Sequence, residues 1–202
     1  MRLFSYVVAR DFGFAPNPFF GVCTLATCKP GIRRRAEIGD WIVGTGTAQR
    51  KRKGYLVFAM RVAEAMSYNK YWADPRFQLK KPNLRSSNKH AFGDNIYFRD
   101  SAGVWHQLNS HHSFSDGTPN RANIKNDTQA DRVLIGTEYV YWGGGGPKIP
   151  GKFRNFNGVD ICAGRGHKSN FQEEFVGEFL AWMNSLNQKG FMGAPLDWVR
   201  TT

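Results

Sequence analysis

The residues able to do chemistry fall into three sets: a glycine-flanked basic loop, a histidine-rich stretch and the cysteines. The loop is Gly164-Arg165-Gly166-His167-Lys168-Ser169. Its glycines let the backbone approach a ligand, and Arg165, His167 and Lys168 supply donors. Ser169 lies three residues before Gln172 and Asn170 three before Glu173, either pair having the spacing of a capping box, so the loop is expected to open a helix. Unpaired N–H groups at a helix start favour anions, which makes this a candidate phosphate site. It is not a P-loop, because no glycine immediately precedes the Lys168-Ser169 pair. The competing reading is a capped helix start with solvated basic residues. His111 and His112 are adjacent, so they cannot share a helical face as HExxH ligands do. With His106 and Asp116 they form a candidate site that lacks the spacing of metal ligands, and neither metal nor cofactor is expected. Cys28 or Cys23 beside a histidine would be a nucleophile, although no local signature supports either. Neither a GxSxG elbow nor a HxE…PCxxC pattern occurs, and the scattered acidic residues offer no carboxylate pair.

A second set of residues suits recognition rather than reaction. Of 28 Lys and Arg against 16 Asp and Glu, residues 1–100 hold 18 against 7 and residues 101–202 hold 10 against 9. The excess sits in Arg33-Arg34-Arg35, in Arg50-Lys51-Arg52-Lys53 and in the Lys80-Lys81 segment. Such clusters attract polyanions through counterion release. Tyr71 and Trp72, with Lys70 and Arg76, interleave rings and cations as stacking on a base beside a phosphate requires. A packed aromatic turn with snorkelling cations has the same composition. The 16 Phe, 7 Tyr and 6 Trp exceed what a small core needs, so several rings are expected at a binding surface.

These residues need a scaffold. Leu3 to Ala9 and Val22 to Ala26 read as strands, separated by a Phe-, Pro- and Gly-rich loop in which Asn17 is free to meet a ligand. Lys29-Pro30-Gly31-Ile32 begins a turn or short helix. Ile38 to Gly46 reads as turn plus strand, Arg50 to Gly54 as a charged hairpin tip, and Tyr55 to Met66 as a strand by alternation. Ser67 caps one helical turn that stops before Pro75. Lys80 to Phe92 is expected to be a loop. Asn95–Phe98 and Val104–Leu108 flank a hairpin signal. Residues 109–127 read as a loop, and Thr128 to Leu134 as a helical turn. Glu138 to Trp142 is strand-like and leads into Gly143–Gly146, a flexible tip or a surface of close approach. Val159 to Ala163 is expected to be a strand, followed by a long helix that Gly190 ends.

The chain of 202 residues suits one domain spanning 1–202. No apolar run reaches membrane-spanning length. The N-terminus has no long apolar signal region and there is no CxxC, so a cytoplasmic protein without structural disulfides is expected.

Taken in order, Ala15-Pro16-Asn17-Pro18-Phe19, Ile38-Gly39-Asp40-Trp41, Tyr71-Trp72-Ala73-Asp74-Pro75-Arg76-Phe77, Gly93-Asp94-Asn95-Ile96-Tyr97 and Gly166-His167-Lys168-Ser169-Asn170-Phe171 resemble the nucleotide modification-associated domain group of phages and bacteria, and more narrowly the second of its named families. The resemblance runs over nearly the whole chain. It implies a link to modified DNA bases in a bacterial or phage-infected cell, and carries no catalytic residues across. A second likeness is architectural: Gly39 to Val43, Gly54 to Val62 and the Tyr71-Trp72 segment are similar in order to the EVE, ASCH and YTH domains of the PUA-like class. The expected fold is therefore α+β: a mixed, strongly curved sheet or small PUA-like β-barrel with packed helices and a long C-terminal helix.

Three functions follow as expectations. The first is a binding module for DNA, RNA or a free nucleotide. Cations of residues 29–89 would hold phosphates, Tyr71, Trp72 or Trp142 would stack on the base, and Asn17 or Asp94 would read its edge. The second is an enzyme acting on a nucleotide or base, with His111, His112, His167 and Asp116 around the Gly164–Ser169 loop. The third is a protein that sequesters a soluble nucleotide signal.

Overall fold

Alternating and β-branched runs at the two ends of the chain form the main sheet. In the computed structural model, which describes residues 1–198, the strands and α-helices in chain order are β1 (Leu3–Val8), β2 (Cys23–Leu25), α1 (Pro30–Arg35), β3 (Trp41–Gly46), β4 (Leu56–Arg61), β5 (Glu64–Met66), α2 (Tyr68–Ala73), α3 (Asn88–Ala91), β6 (Tyr97–Arg99), β7 (Trp105–Gln107), α4 (Arg121–Asp127), β8 (Val133–Gly136), β9 (Glu138–Tyr141), β10 (His167–Lys168), α5 (Glu173–Ser185) and β11 (Gly190–Phe191). Short 3-10 turns cover Ala48–Arg50, Pro75–Lys80, Gly143–Gly145 and Gly151–Arg154. The fold is mixed α+β, and no sheet closes into a barrel among the described residues.

The chain divides into two compact units. One comprises residues 1–11, 36–63 and 136–202; the other comprises residues 12–35 and 64–135. The first unit holds a six-stranded sheet in the order β10-β1-β3-β4-β9-β11. β1 and β3 run parallel, with Leu3 opposite Trp41, and β3 and β4 pair as an antiparallel hairpin. Helix α5 presents Phe175, Val176, Phe179, Leu180 and Met183, an apolar stripe at helical spacing, to Leu3, Trp41, Val43, Ala59 and Val140 of the sheet. Phe153 stands edge-on to both Phe175 and Phe179, at centroid distances of 5.8 and 5.2 Å. Edge-to-face ring pairs of this kind each add about 0.5–1.5 kcal/mol beyond burial.

The second unit carries the sheet β2-β8-β5 and the β6-β7 hairpin. Its core is aromatic: Phe14, Tyr68, Tyr71, Phe77 and Tyr97 are buried with Ala26, Ile96, Val133 and Ile135. A polar network threads this core. Lys80 Nζ donates to Asn17 O, Asn17 Oδ1 and Val22 O at 3.1, 2.6 and 3.0 Å. Asp94 accepts from Thr24 Oγ1 and Tyr71 OH, both at 2.7 Å. Burial pushes Lys80 down to about 8, against the attraction of Asp94, while burial raises the Asp94 carboxyl.

Several expectations about elements need correction. Val159 makes only an isolated bridge to Phe156, so the 159–163 strand does not form. His167 and Lys168 pair with Tyr6 and Ser5 as an edge strand, which keeps the chain extended past Ser169. Helix α5 therefore starts at Glu173, where Glu173 and Glu174 suit its positive end, and its N-cap Gln172 makes no side-chain cap bond. It ends at Ser185 rather than at Gly190. Residues 55–66 form two strands, not one. Residues 128–134 lead into β8, whose Val133, Leu134 and Ile135 are buried in the middle of a sheet. Helices α3 and α4 form within stretches expected to be loops.

Candidate active site

β2 ends at Leu25, and the chain continues through Ala26-Thr27 and turns through Cys28 and Lys29 into α1. Both turn residues are left-handed, with φ of 56° and 43°. Neither is glycine, so each position costs on the order of 1–3 kcal/mol and persists only where its surroundings hold it. Arg33 of α1 does the holding. It is fully buried, and its guanidinium donates to the carbonyl oxygens of Cys28 (2.8 Å), Ala130 (2.7 Å) and Arg132 (2.7 Å) and also to that of Asp127. One side chain thus ties the Cys28 turn to the C-terminal end of α4.

The Cys28 thiol lies 3.7 Å from His112 Nε2, and His112 Nδ1 lies 2.9 Å from Asp127 Oδ2. Asp127 is fully buried and His112 is 15 % exposed. The carboxylate has four donors around it. Oδ1 accepts from Cys28 N (2.8 Å) and Asn126 Nδ2 (3.1 Å), and Oδ2 accepts from Tyr97 OH (3.0 Å) as well as facing His112. The His112 backbone is fixed too: its carbonyl accepts from Asn123 Nδ2 at 2.8 Å and Gln107 Nε2 at 3.3 Å. Phe14 packs on the imidazole at 4.6 Å between centroids. α4 can supply both Asn123 and Asp127 because i, i+4 residues share a helical face. The helix is started by Asn120, whose Oδ1 accepts from the N–H groups of Ala122 and Asn123.

This is a nucleophile–base–orienter arrangement, recognised by geometry and role rather than by sequence order. Asp127 fixes the tautomer that leaves Nε2 toward sulfur. Burial alone would lower the His112 pKa, but the Asp127 carboxylate and Cys28 outweigh it and raise His112 to about 9. A charged imidazole beside sulfur is the usual counter-ion of a reactive thiolate. The other cysteines differ. Cys23 is fully buried and burial pushes its thiol far up; Cys162 is buried and shifted the same way. The thiol, imidazole and carboxylate lie within 4.8 Å of one another, close enough to draw a metal reading. Both Asp127 oxygens are already engaged, so a cation here would meet only Sγ and Nε2, two short of a four-coordinate zinc shell.

Most of the residues expected from sequence lie elsewhere. Asn17, Tyr71, Lys80 and Asp94 are buried in the polar network of the second unit, bonded to one another and to their neighbours. Arg33 is the internal clamp. Arg34 and Arg35 are exposed and bond to the carbonyls of Gln129 and Gly31. Trp72 stacks on Phe98 at 4.2 Å and carries Lys81 Nζ 3.7 Å over its ring. Arg76 is paired with both Glu64 and Asp74. Trp142 is 4 % exposed, in the core of the first unit. Arg52 bonds to Gly146 O and covers Tyr55, between exposed Lys51 and Lys53. The Gly164–Ser169 loop is not a helix start: Arg165 is exposed, Lys168 Nζ donates to Asp160 O, and His167 and Lys168 belong to β10. His111 is exposed, with its ring 4.5 Å from that of Phe12. His106 pairs with Asp100, and Asp116 accepts from Thr118 within its own turn. Of the expected acid–base set, His112 is the member that contacts Cys28 and Asp127.

Asp127, Tyr97 and the clamp role of Arg33 were not visible in sequence. The signal for Cys28 was its place between a strand and a proline-led helix. No curated protein and no solved structure matches the chain. A family model does, over residues 1–202, and the chain belongs to the nucleotide modification associated domain 2 family.

Proposed function

We propose that the protein is a thiol enzyme acting on a nucleotide or a nucleic-acid base, with Cys28 as nucleophile, His112 as acid–base and Asp127 as orienting carboxylate. The observation that carries this reading is the aligned series Cys28 Sγ, His112 Nε2, His112 Nδ1, Asp127 Oδ2, with separations of 3.7 and 2.9 Å on either side of the ring. The membership in a nucleotide-modification family supports the substrate class.

The reaction class this arrangement suits best is acyl transfer or hydrolysis. The Cys28 thiolate forms a bond to the carbonyl carbon of an amide or ester on the modified base. Protonated His112 gives its proton to the leaving amine or alcohol as the C–N or C–O bond breaks. His112 then takes a proton from water, whose oxygen attacks the thioester and releases the thiolate. Asp127 keeps Nδ1 protonated throughout.

The test is incubation of the protein with nucleotides carrying amide- or ester-linked groups on the base, followed by intact-protein mass spectrometry and product analysis. The expected result is a transient mass increase on Cys28 equal to the acyl group, lost in Cys28→Ala. Neither adduct nor product from any acylated nucleotide, with the thiol intact, would overturn the reading. Binding alone remains the second reading, favoured by the excess of 28 basic over 16 acidic residues.

A further inference from the structure

An open groove of about 730 Å3 lies in the second unit, built on α4 and β7, which also support the Cys28 centre. Helix α4 divides its work by face. Asn120, Asn123 and Asp127 engage the triad and its supports, while Arg121, Ile124, Lys125 and Thr128 line the groove. These sets are neighbouring stripes of a 3.6-residue helix. β7 is shared in the same way: Gln107 bonds to the His112 carbonyl and Trp105 lines the groove.

The groove has an apolar floor of Trp105, Pro119 and Ile124, and no carboxylate lines it. Arg121 and Lys125 are exposed, one helical turn apart, and neither has an ion pair among the described residues. Several other cations of this unit are committed: Arg76 to Glu64 and Asp74, Arg99 to Asp131, Arg33 and Lys80 to buried acceptors. Arg99 lies 4.4 Å over the Trp105 ring and Tyr68 stands edge-on to it at 5.4 Å, so a base would meet the remaining indole surface beside Pro119 and Ile124. Unpaired cations beside this apolar surface complement a chain of phosphates bearing flat, apolar rings. Bases expose their faces for such contact only when unpaired, which favours a single strand over a duplex. The groove is an open trough rather than an enclosure, which suits a ligand that runs past its ends rather than a free nucleotide.

We propose that this groove holds single-stranded nucleic acid, with a base against Trp105 and the backbone on Arg121 and Lys125. It delivers the strand to the Cys28 centre. The delivery role rests on the thiol reading above; the binding does not.

The test uses Cys28→Ser protein, so that no chemistry intervenes, and fluorescence anisotropy with a labelled oligothymidine. A duplex of equal length and a mononucleotide serve as competitors. The expected result is binding to the single strand over both competitors, weakened at least tenfold by adding Arg121→Glu and Lys125→Glu. Loss of two phosphate contacts should also flatten the slope of log affinity against log salt by about 1.4. Circular dichroism and the melting curve verify that the charge-reversed protein is folded. Equal binding by the charge-reversed protein, or a preference for duplex or mononucleotide, would overturn the groove proposal. Strand binding alongside a Cys28 thiol no more reactive than a free one would sink the thiol reading and leave the groove standing.

Discussion

At the scale of single residues, the three thiols differ in exposure and in their neighbours. Cys28 alone is partly exposed and has an imidazole against its sulfur. Replacing Asp127 by Asn keeps the shape but allows the wrong histidine tautomer; turnover should fall by roughly 10²- to 10⁴-fold. Steady-state kinetics of Asp127→Asn against wild type checks this. His112 also makes a stability prediction. Its folded pKa is raised from 6.5 to about 9, so its contribution is fully present below pH 6.5 and is lost as pH rises through 9. The groups around it are Asp127, Cys28 and Tyr97. Denaturant titrations at pH 6 and pH 9.5 should show a gap between wild type and His112→Gln at the lower pH that closes at the higher. A constant gap would contradict the charge assignment. His112 and Cys28 were both weighed in the sequence, but nothing local paired them, because 83 residues lie between them.

At the scale of elements, the strands were legible where side chains alternate or branch at the β-carbon. β1, β3, β4 and β9 fall where Leu3–Ala9, Ile38–Gly46, Tyr55–Met66 and Glu138–Trp142 pointed. α4 was not legible, because Ile124 is its only large apolar residue; the helix is held by the Asn120 cap and by side-chain bonds to remote partners. The orienting carboxylate was hidden with it. Asn120→Ala should cost about 1 kcal/mol by urea denaturation and slow Cys28 alkylation, since α4 carries Asp127. Arg33→Met should cost roughly 3 kcal/mol or more, because it leaves four carbonyls without their donor. The glycine run also becomes clear: a Cβ on Gly146 would stand 1.8 Å from Leu56 O, so it is a close-approach surface rather than a flexible tip. Gly146→Ala should lower the melting temperature by several degrees.

At the scale of the whole molecule, the charge of +12 and the family resemblance were visible in the residues, and the chain does belong to that family. The arrangement of the cations was not. Arg33–Arg35, Arg76, Lys80 and Lys81 belong to one unit, and Lys51–Lys53, Arg165 and Lys168 to the other. Two of them, Arg33 and Lys80, are interior, because buried carbonyls satisfied by Arg or Lys read in sequence like any basic residue. The discontinuous segments of each unit explain the rest, since no composition shift marks where residues 12–35 and 64–135 come together.

The most direct measurement is the rate of iodoacetamide alkylation at Cys28, followed by mass spectrometry from pH 5 to pH 9, in wild type and in His112→Ala. The thiol–imidazole pairing predicts faster labelling of Cys28 in wild type than in His112→Ala wherever the imidazole is charged, below about pH 9. Identical profiles in the two proteins would contradict it.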